Sequence, residues 1–273
     1  PYASHAPPNL DPDTLNTARP YAFEYIPNVA DRDPLAMVSF RQLLGELSED
    51  QEGLEYMIKY IAHMLQFPLI RPQIMLMFKS HGGTGKDTFT LTISRMLGEW
   101  HCVTIADMDL LVNFNSILAN KMFVTNNEIC GKQGVKHVES LKNLLTAERI
   151  IITFKGKEAY PQDNVARQVL YSNTPNPLPI DSAVCRRILS NQVRADRQLP
   201  STFFDDYYEA LENERWVNSL ASDLYDIDLS EFAVRSPPLT ASLKTKMQSN
   251  IHVVHKLLQD IAEGTFREKV YTK

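Results

Sequence analysis

The sequence contains only three cysteines and no long apolar run, and each shortage excludes a class of protein. Cys102, Cys130 and Cys185 lie far apart, so their spacing matches neither a disulfide framework nor a zinc site. No apolar stretch approaches the roughly 20 residues that a membrane-spanning helix requires. We therefore expect no membrane partner and a reducing, cytoplasmic location.

Positive charge is also in short supply, since 28 lysines and arginines face 33 aspartates and glutamates and the net charge is -5. This balance argues against a protein that is coated in nucleic acid. It does not exclude a ring-shaped enzyme, because such a ring needs only a few basic residues per subunit along its central channel. Nucleic-acid binding must therefore be judged from local clusters of charge.

The composition divides the chain into four parts. It begins with Pro1 and nothing near its start has the form of a signal peptide, so we expect a piece of a longer protein. Residues 1–30 are rich in proline and lack apolar periodicity, which indicates a linker or arm. Residues 31–70 predict a small helical subdomain, with a capping box at residues 48–51. Alternating strands and helices over 71–200 predict an α/β core with a mainly parallel sheet, and residues 201–273 a mostly helical region.

The most specific motif is a glycine-rich loop between a predicted strand and a predicted helix. The strand Ile74–Phe78 leads into residues 79–88, which read Lys-Ser-His-Gly-Gly-Thr-Gly-Lys-Asp-Thr. The backbone N–H groups of such a loop, a helix N-terminus and a lysine together bind the phosphates of a nucleotide. We therefore expect ATP to bind here. The predicted contacts are His81, Gly82, Gly83, Thr84, Gly85, Lys86, Asp87 and Thr88.

This loop departs from the usual phosphate-binding pattern at two positions. Ser80 stands where the pattern has its first glycine, and Asp87 stands where Ser or Thr would ligate Mg²⁺. Because aspartate is also an oxygen ligand that suits Mg²⁺, either Asp87 or Thr88 can serve. A glycine turn that binds nothing is the alternative for the loop taken alone.

Polar side chains follow two further predicted strands. Met122–Thr125 is followed by an Asn-Asn-Glu sequence that ends in Glu128, and Val165–Ser172 is followed by Asn173. Because the carboxyl ends of parallel strands meet at one edge of a sheet, we expect Glu128 to activate the attacking water and Asn173 to sense the γ-phosphate. Asn127 and Glu128 are then further candidates for Mg²⁺. Taken singly, a solvated carboxylate and an ordinary turn are the alternatives.

The adjacent pair Arg186 and Arg187 is a candidate for catalysis between subunits. One of these arginines could point into a neighbouring subunit's site and stabilise the transition state there, as an arginine finger does. A solvated basic turn is the alternative.

Together these motifs resemble those of superfamily 3 helicases of the AAA+ type. They are most similar to the D5-like helicase domains that follow primase or primase-polymerase domains in phages and other mobile elements. The resemblance covers about residues 50–250 and includes residues 83–89, 127–128, 141–157 and 171–173. It implies an AAA+ P-loop core, a homo-oligomeric (hexameric) ring around single-stranded DNA, and a primase or primase-polymerase domain on the same longer chain. For a phage protein the location would be the host cytoplasm.

The resemblance also implies that the segment from residue 142 to residue 167 contacts DNA. This segment is basic within an acidic chain, and its pattern predicts a hairpin with two lysines at the tip. Phe154 and Tyr160 could stack on bases. An ordinary solvated hairpin is the alternative. The candidate DNA ligands are Lys142, Lys155, Lys157 and Arg167.

The sequence thus predicts an ATP-driven helicase module that translocates on single-stranded DNA during replication. Two other functions stay open. One is an AAA+ ATPase that loads or packages without unwinding. The other is a replication scaffold that binds nucleotide without turnover, because Asp87 and Asn127 depart from the usual motifs.

Overall fold

The computed structural model describes residues 19–106, 115–127, 141–173, 186–193, 199–244 and 261–262. The helices are α1 (Ala36–Leu47), α2 (Gln51–Gln66), α3 (Lys86–Leu97), α4 (Ser201–Leu211) and α5 (Glu214–Tyr225). The strands are β1 (Met75–Lys79), β2 (Cys102–Ile105), β3 (Phe123–Asn126), β4 (Arg149–Ile152), β5 (Tyr160–Asp163), β6 (Arg167–Ser172) and β7 (Ile188–Gln192). Short 3-10 helices occupy Val29–Asp31, Glu99–His101 and Asn115–Leu118. Residues 141–146 are also helical.

Five parallel strands form the central sheet in the order β2-β3-β6-β1-β7. β1 lies between β6 and β7, with Met77 beside Leu170 and Ser190. β3 pairs with the other side of β6. The carboxyl ends of β3, β6 and β1 are therefore neighbours at one edge of the sheet. The predicted α/β fold with a mainly parallel sheet is confirmed.

The central strands are buried on both faces, as their apolar sequences predict. Every residue of β1, β3 and β6 is buried, which is typical of parallel strands covered on both sides. One face packs against a helical layer through the stacked and tilted rings of Phe40, Phe78 and Phe89. The other face carries a smaller cluster that includes Val124 and Ile152. The sheet is thus covered by side chains on both faces.

The helical layer combines segments from both ends of the chain. α1 and α2, predicted as an N-terminal subdomain, pack against α5 from the C-terminal region and share one core with it. Residues 19–33, which overlap the predicted linker, lie on the same layer. Two contacts fix this segment. Its Pro20 carbonyl accepts a hydrogen bond from Trp100 Nε1 at 3.1 Å, and its buried Arg32 forms ion pairs with Asp223 and Asp226.

The N-terminus of α2 lies two residues later than the expected capping box implies. Asp50 is the N-cap, and its carboxylate accepts a hydrogen bond from the Gly53 amide at 2.8 Å. Ser48 instead donates to the Asp50 carbonyl at 2.7 Å. The expected capping box is therefore wrong, because the Asp50 carboxylate, rather than Ser48, accepts from a free amide in the first turn of the helix.

Arg167 begins β6 and is fully buried, with 0% of its surface exposed. Its guanidinium donates to four backbone carbonyls at 2.6 to 3.0 Å; these belong to Phe67, Pro68, Ile70 and Val165. Phe67 is the C-cap of α2, so the cation lies at the negative end of that helix. The prediction that Arg167 binds DNA is therefore wrong, because its side chain is enclosed by the protein.

Of the three cysteines, only Cys102 lies within the described residues. Its thiol is free, and burial raises its pKa to about 12, so it is unreactive at neutral pH. Cys130 and Cys185 lie outside the described residues. Within the described part of the chain, no helix is long and apolar enough to cross a bilayer.

His63 makes the stability of the fold sensitive to acid. It lies in the last turn of α2 and is 7% exposed. Burial, with smaller effects from Arg167 and Arg235, lowers its pKa from 6.5 to about 4. The folded protein therefore keeps the ring neutral, whereas the unfolded chain binds a proton near pH 6.5. We expect the free energy of unfolding to fall between pH 6.5 and 4, by up to about 3 kcal/mol from this residue.

Urea unfolding at a series of pH values across this window measures the effect. His63→Leu should flatten the dependence, because its side chain takes up no proton on unfolding. The exposed His81→Leu change serves as the matched control and should leave the wild-type slope. An unchanged slope in His63→Leu would contradict the assignment.

Candidate functional site

A glycine-rich loop joins β1 to α3, and we call residues 80–85 the glycine loop. Gly83 and Gly85 have φ values of 79° and 88°, which L side chains rarely adopt. Gly85 is the N-cap of α3, and a Cβ atom there would lie 2.7 Å from Leu43 Cδ1. Both the conformation and the packing of the loop therefore require glycine at this position.

Ser80, which departs from the usual pattern, stabilises the glycine loop through hydrogen bonds inside it. Its hydroxyl shares a 2.9 Å hydrogen bond with that of Thr84, and Thr84 also bonds the His81 carbonyl at 3.4 Å. The Ser80 amide donates to the Ser172 carbonyl of β6 at 3.2 Å. The serine thus fixes the loop to itself and to the sheet.

A cavity of about 330 Å³ lies against this loop. Its walls come from the glycine loop and the first turn of α3, the carboxyl ends of β3 and β6, and α4. The lining residues are Gly82, Gly83, Thr84, Gly85, Lys86, Asp87, Thr88, Asn127, Tyr171, Ser172, Asn173, Phe204 and Tyr208. The cavity therefore brings together predicted site residues from three separate segments of the sequence. The predicted contact His81 is exposed and lies outside this lining.

Lys86 and Asn173 meet directly in the cavity. The Lys86 amine donates to Asn173 Oδ1 at 3.2 Å and to the Ser80 carbonyl at 3.3 Å. Tyr171 supports this pair, since its hydroxyl donates to the Lys86 carbonyl at 2.9 Å and its ring centre lies 5.9 Å from the amine. Burial raises the pKa of Tyr171 well above its usual value, so the phenol stays neutral. The Lys86 amine and the Asn173 side-chain amide are therefore in contact beside the carboxyl ends of β1 and β6.

The oxygen atoms available to a metal come from two of these segments. Asn127 follows β3, and its Oδ1 atom is buried without a hydrogen-bond partner among the described residues. Asp87 presents an exposed carboxylate from the first turn of α3, whereas Thr88 is buried and shares a 2.9 Å hydrogen bond with Tyr208. Asp87 and Asn127 fit Mg²⁺, which prefers oxygen ligands and is commonly completed by substrate phosphates. Glu128 lies outside the described residues.

The described part of the chain holds no preformed metal centre. No group of three or more His, Cys, Asp or Glu side chains comes together there. Among the described residues, Asp87 and Asn127 therefore supply only part of a Mg²⁺ coordination sphere.

Arg186 and Arg187 precede β7, at the amino ends of the parallel strands, whereas the glycine loop lies at their carboxyl ends. The Arg187 carbonyl accepts from the Met75 amide at 2.9 Å, and its guanidinium donates to Gln73 at 3.1 Å. Since β7 runs parallel to β1, five residues separate this pair from the glycine loop, a distance of about 16 Å. Neither arginine reaches the cavity of its own chain.

The predicted hairpin with two lysines at its connection is confirmed. β4 and β5 pair antiparallel, and Lys155 and Lys157 are exposed in the connection between them. Phe154 and Tyr160 stack on each other with ring centres 6.1 Å apart. Lys142 is half-buried in the preceding helical segment.

Asn115 holds the hairpin in place by two hydrogen bonds to β4 and its connection. It donates to the Ile151 carbonyl at 2.7 Å and accepts from the Thr153 amide at 2.9 Å. The end of β4 nearest the two lysines is therefore fixed to the segment that precedes β3.

Four lining residues had no role predicted for them from the sequence. Tyr171 and Ser172 fall within the motif at residues 171–173, but they also belong to the apolar strand pattern of β6, which predicts burial rather than a site. Phe204 and Tyr208 come from α4, more than 100 positions from the glycine loop. Only their four-residue spacing on one helix face indicates that they act together.

Comparison with known proteins relates the chain to a phage protein. Residues 78–187 match the model of a family of unknown function (DUF5906). The chain is 25% identical over 228 residues to a DNA primase-polymerase of Nitratiruptor phage NrS-1, which covers 81% of this chain and 30% of that protein. It is homologous to this primase-polymerase. The relationship to phage primase-polymerases predicted from the sequence is thus confirmed, although the chain spans less than a third of the relative's length.

Solved structures of the NrS-1 C-terminal region have the same fold. One apo structure has a TM-score of 0.72 at 22% identity and covers 87% of this chain and 57% of that one. A second has a TM-score of 0.72 at 21% identity and covers 92% and 63%. The similarity therefore lies in the C-terminal region of the primase-polymerase.

Proposed function

We propose that this chain is an ATP-hydrolysing helicase module of the superfamily 3, AAA+ type, which acts as an oligomeric ring on single-stranded DNA during phage or mobile-element replication. One observation carries the proposal: Lys86, Asn127 and Asn173, which follow three different strands, line one cavity beside a glycine loop at a helix N-terminus. Similarity to a DNA primase-polymerase supports a role in replication.

In this proposal the glycine loop binds the phosphates of ATP. Its backbone N–H groups and the N-terminus of α3 favour an anion, and Lys86 neutralises the outer phosphates. Asn173 already contacts the Lys86 amine, so it is placed to detect whether the terminal phosphate is present. Glu128, the residue after Asn127, would orient the attacking water. Asp87 and Asn127 would hold Mg²⁺, which neutralises charge on the phosphates when bound.

Ring assembly would complete the site. Arg186 and Arg187 lie level with the start of β1, away from the glycine loop of their own chain, so in a ring they would act on the nucleotide of a neighbouring subunit. The hairpin lysines would contact the DNA backbone, and Phe154 and Tyr160 would offer ring surface to bases.

The double change Lys155→Ala and Lys157→Ala is expected to lower the affinity for single-stranded DNA. It should also make that affinity less dependent on salt. Loss of two phosphate contacts should reduce the slope of log K against log salt by about 1.4. Fluorescence anisotropy with a labelled oligonucleotide at several salt concentrations measures the slope. The exposed Lys244→Ala change is the control. An unaltered slope in the double variant would remove the hairpin from the DNA path.

A strand-displacement assay on a forked duplex, together with phosphate release, tests the proposed activity. Unwinding that requires ATP and Mg²⁺ is the expected result. Hydrolysis without unwinding would instead indicate an ATPase that loads or packages. Nucleotide binding without hydrolysis would indicate a replication scaffold.

A further inference from the structure

We propose that Phe204 and Tyr208 of α4 form the part of the cavity that binds the nucleoside of the triphosphate. The inference rests on the proposed function of the same cavity. Both side chains line it, and their spacing of four residues places them on one face of the helix. No sequence motif assigns a role to either residue.

Two contacts within the cavity lining differ in chemistry. The Lys86 amine contacts Asn173. The Tyr208 hydroxyl shares a 2.9 Å hydrogen bond with Thr88. Thr88 follows Lys86 by two residues, which is about 200° around the helix, so the two contacts lie on opposite sides of the first turn of α3. A triphosphate whose terminal phosphate lies at Lys86 would therefore place its nucleoside near Tyr208.

The aromatic side chains offer ring surface rather than hydrogen-bonding groups. Tyr208 is 43% exposed although its hydroxyl is bonded, so its ring remains accessible to a ligand. Phe204 is half-buried, and its Cε1 atom lies 3.1 Å from the position that a Cβ at Gly85 would take. Base–aromatic stacking contributes about 5- to 150-fold in affinity for each stacked base. We therefore expect the nucleoside to add affinity beyond that of the phosphates.

A purely supporting role for α4 makes a different prediction. If Phe204 and Tyr208 only held the glycine loop in shape, their loss would weaken every ligand that contacts the loop. If they bind the nucleoside, their loss would weaken ATP alone. Inorganic tripolyphosphate, which carries the phosphates without the nucleoside, separates the two roles.

The experiment measures the dissociation constants of ATP and of tripolyphosphate, each with Mg²⁺, by calorimetric titration of the full chain. The wild type should bind ATP more tightly than tripolyphosphate. Tyr208→Ala should weaken ATP by about 10-fold and leave tripolyphosphate unchanged. Phe204→Leu should act in the same direction. An equal loss for both ligands would overturn the inference.

Two matched variants test whether the effect comes from the aromatic rings that line the cavity. Tyr208→Phe keeps the ring and removes the hydroxyl, so it should retain most of the ATP affinity. Phe203→Leu changes the neighbouring phenylalanine of α4, which does not line the cavity, and should leave both constants unchanged. Equal wild-type affinity for both ligands would reject the nucleoside site while keeping the phosphate site. Failure of both ligands to bind the wild type would reject the proposed function itself.

Discussion

Replacing Lys86 with alanine should lower ATP hydrolysis by at least about 100-fold, the loss typical of removing one charge-stabilising donor from an active site. Among the described residues that line the cavity, Lys86 supplies the only cation. Its amine also contacts Asn173 and the Ser80 carbonyl, so the change removes both the charge and the link between two strand ends. Phosphate release at saturating ATP and Mg²⁺ measures the effect.

The exposed Lys244→Ala variant is the control for loss of a lysine, and it should hydrolyse ATP as the wild type does. Thermal unfolding of Lys86→Ala establishes that the variant is folded. Wild-type turnover by a folded Lys86→Ala protein would rule out the cavity as the site of hydrolysis.

Replacing Arg167 with methionine should destabilise the fold by about 3 to 5 kcal/mol. The change leaves four carbonyls without their donor in a region that excludes water, and it removes the cation at the C-terminus of α2. Burial lowers the pKa of Arg167, but the carbonyls compensate its charge. Urea unfolding of wild type and variant gives the difference in free energy.

Arg149→Met is the matched control, because Arg149, like Arg167, is the first residue of a strand. Its side chain is 65% exposed and pairs with the exposed Asp163, so its loss should cost less than about 1 kcal/mol. A stable Arg167→Met protein that had lost DNA binding would contradict the buried assignment and restore the predicted one.

The sequence predicts that Glu128 and Asn173 converge on the glycine loop, and Asn173 and Asn127, the residue before Glu128, do line the cavity beside it. Parallel strands end at one edge, and the apolar strands before these residues are easily recognised. The glycine loop was equally clear, since its backbone requires glycine where the motif has it. The local sequence pattern therefore predicts the side of the cavity that the glycine loop forms.

Other features depend on tertiary packing and carry no local signal. Phe204 and Tyr208 reach the cavity only because α4 packs beside α3. Arg167 was assigned to DNA because it lies in a basic segment, whereas its environment is the C-terminus of a helix 100 residues earlier. A charge in a sequence does not reveal whether backbone carbonyls or a ligand will surround it.

Hydrogen–deuterium exchange with and without ATP and Mg²⁺ would locate the bound nucleotide on the chain and so determine whether the glycine loop binds it. ATP should slow the exchange of backbone amides in residues 82–88 and around Asn127 and Asn173, and Lys86→Ala should abolish this protection. Protection confined to other segments, or none in these three while ATP is bound, would contradict the account.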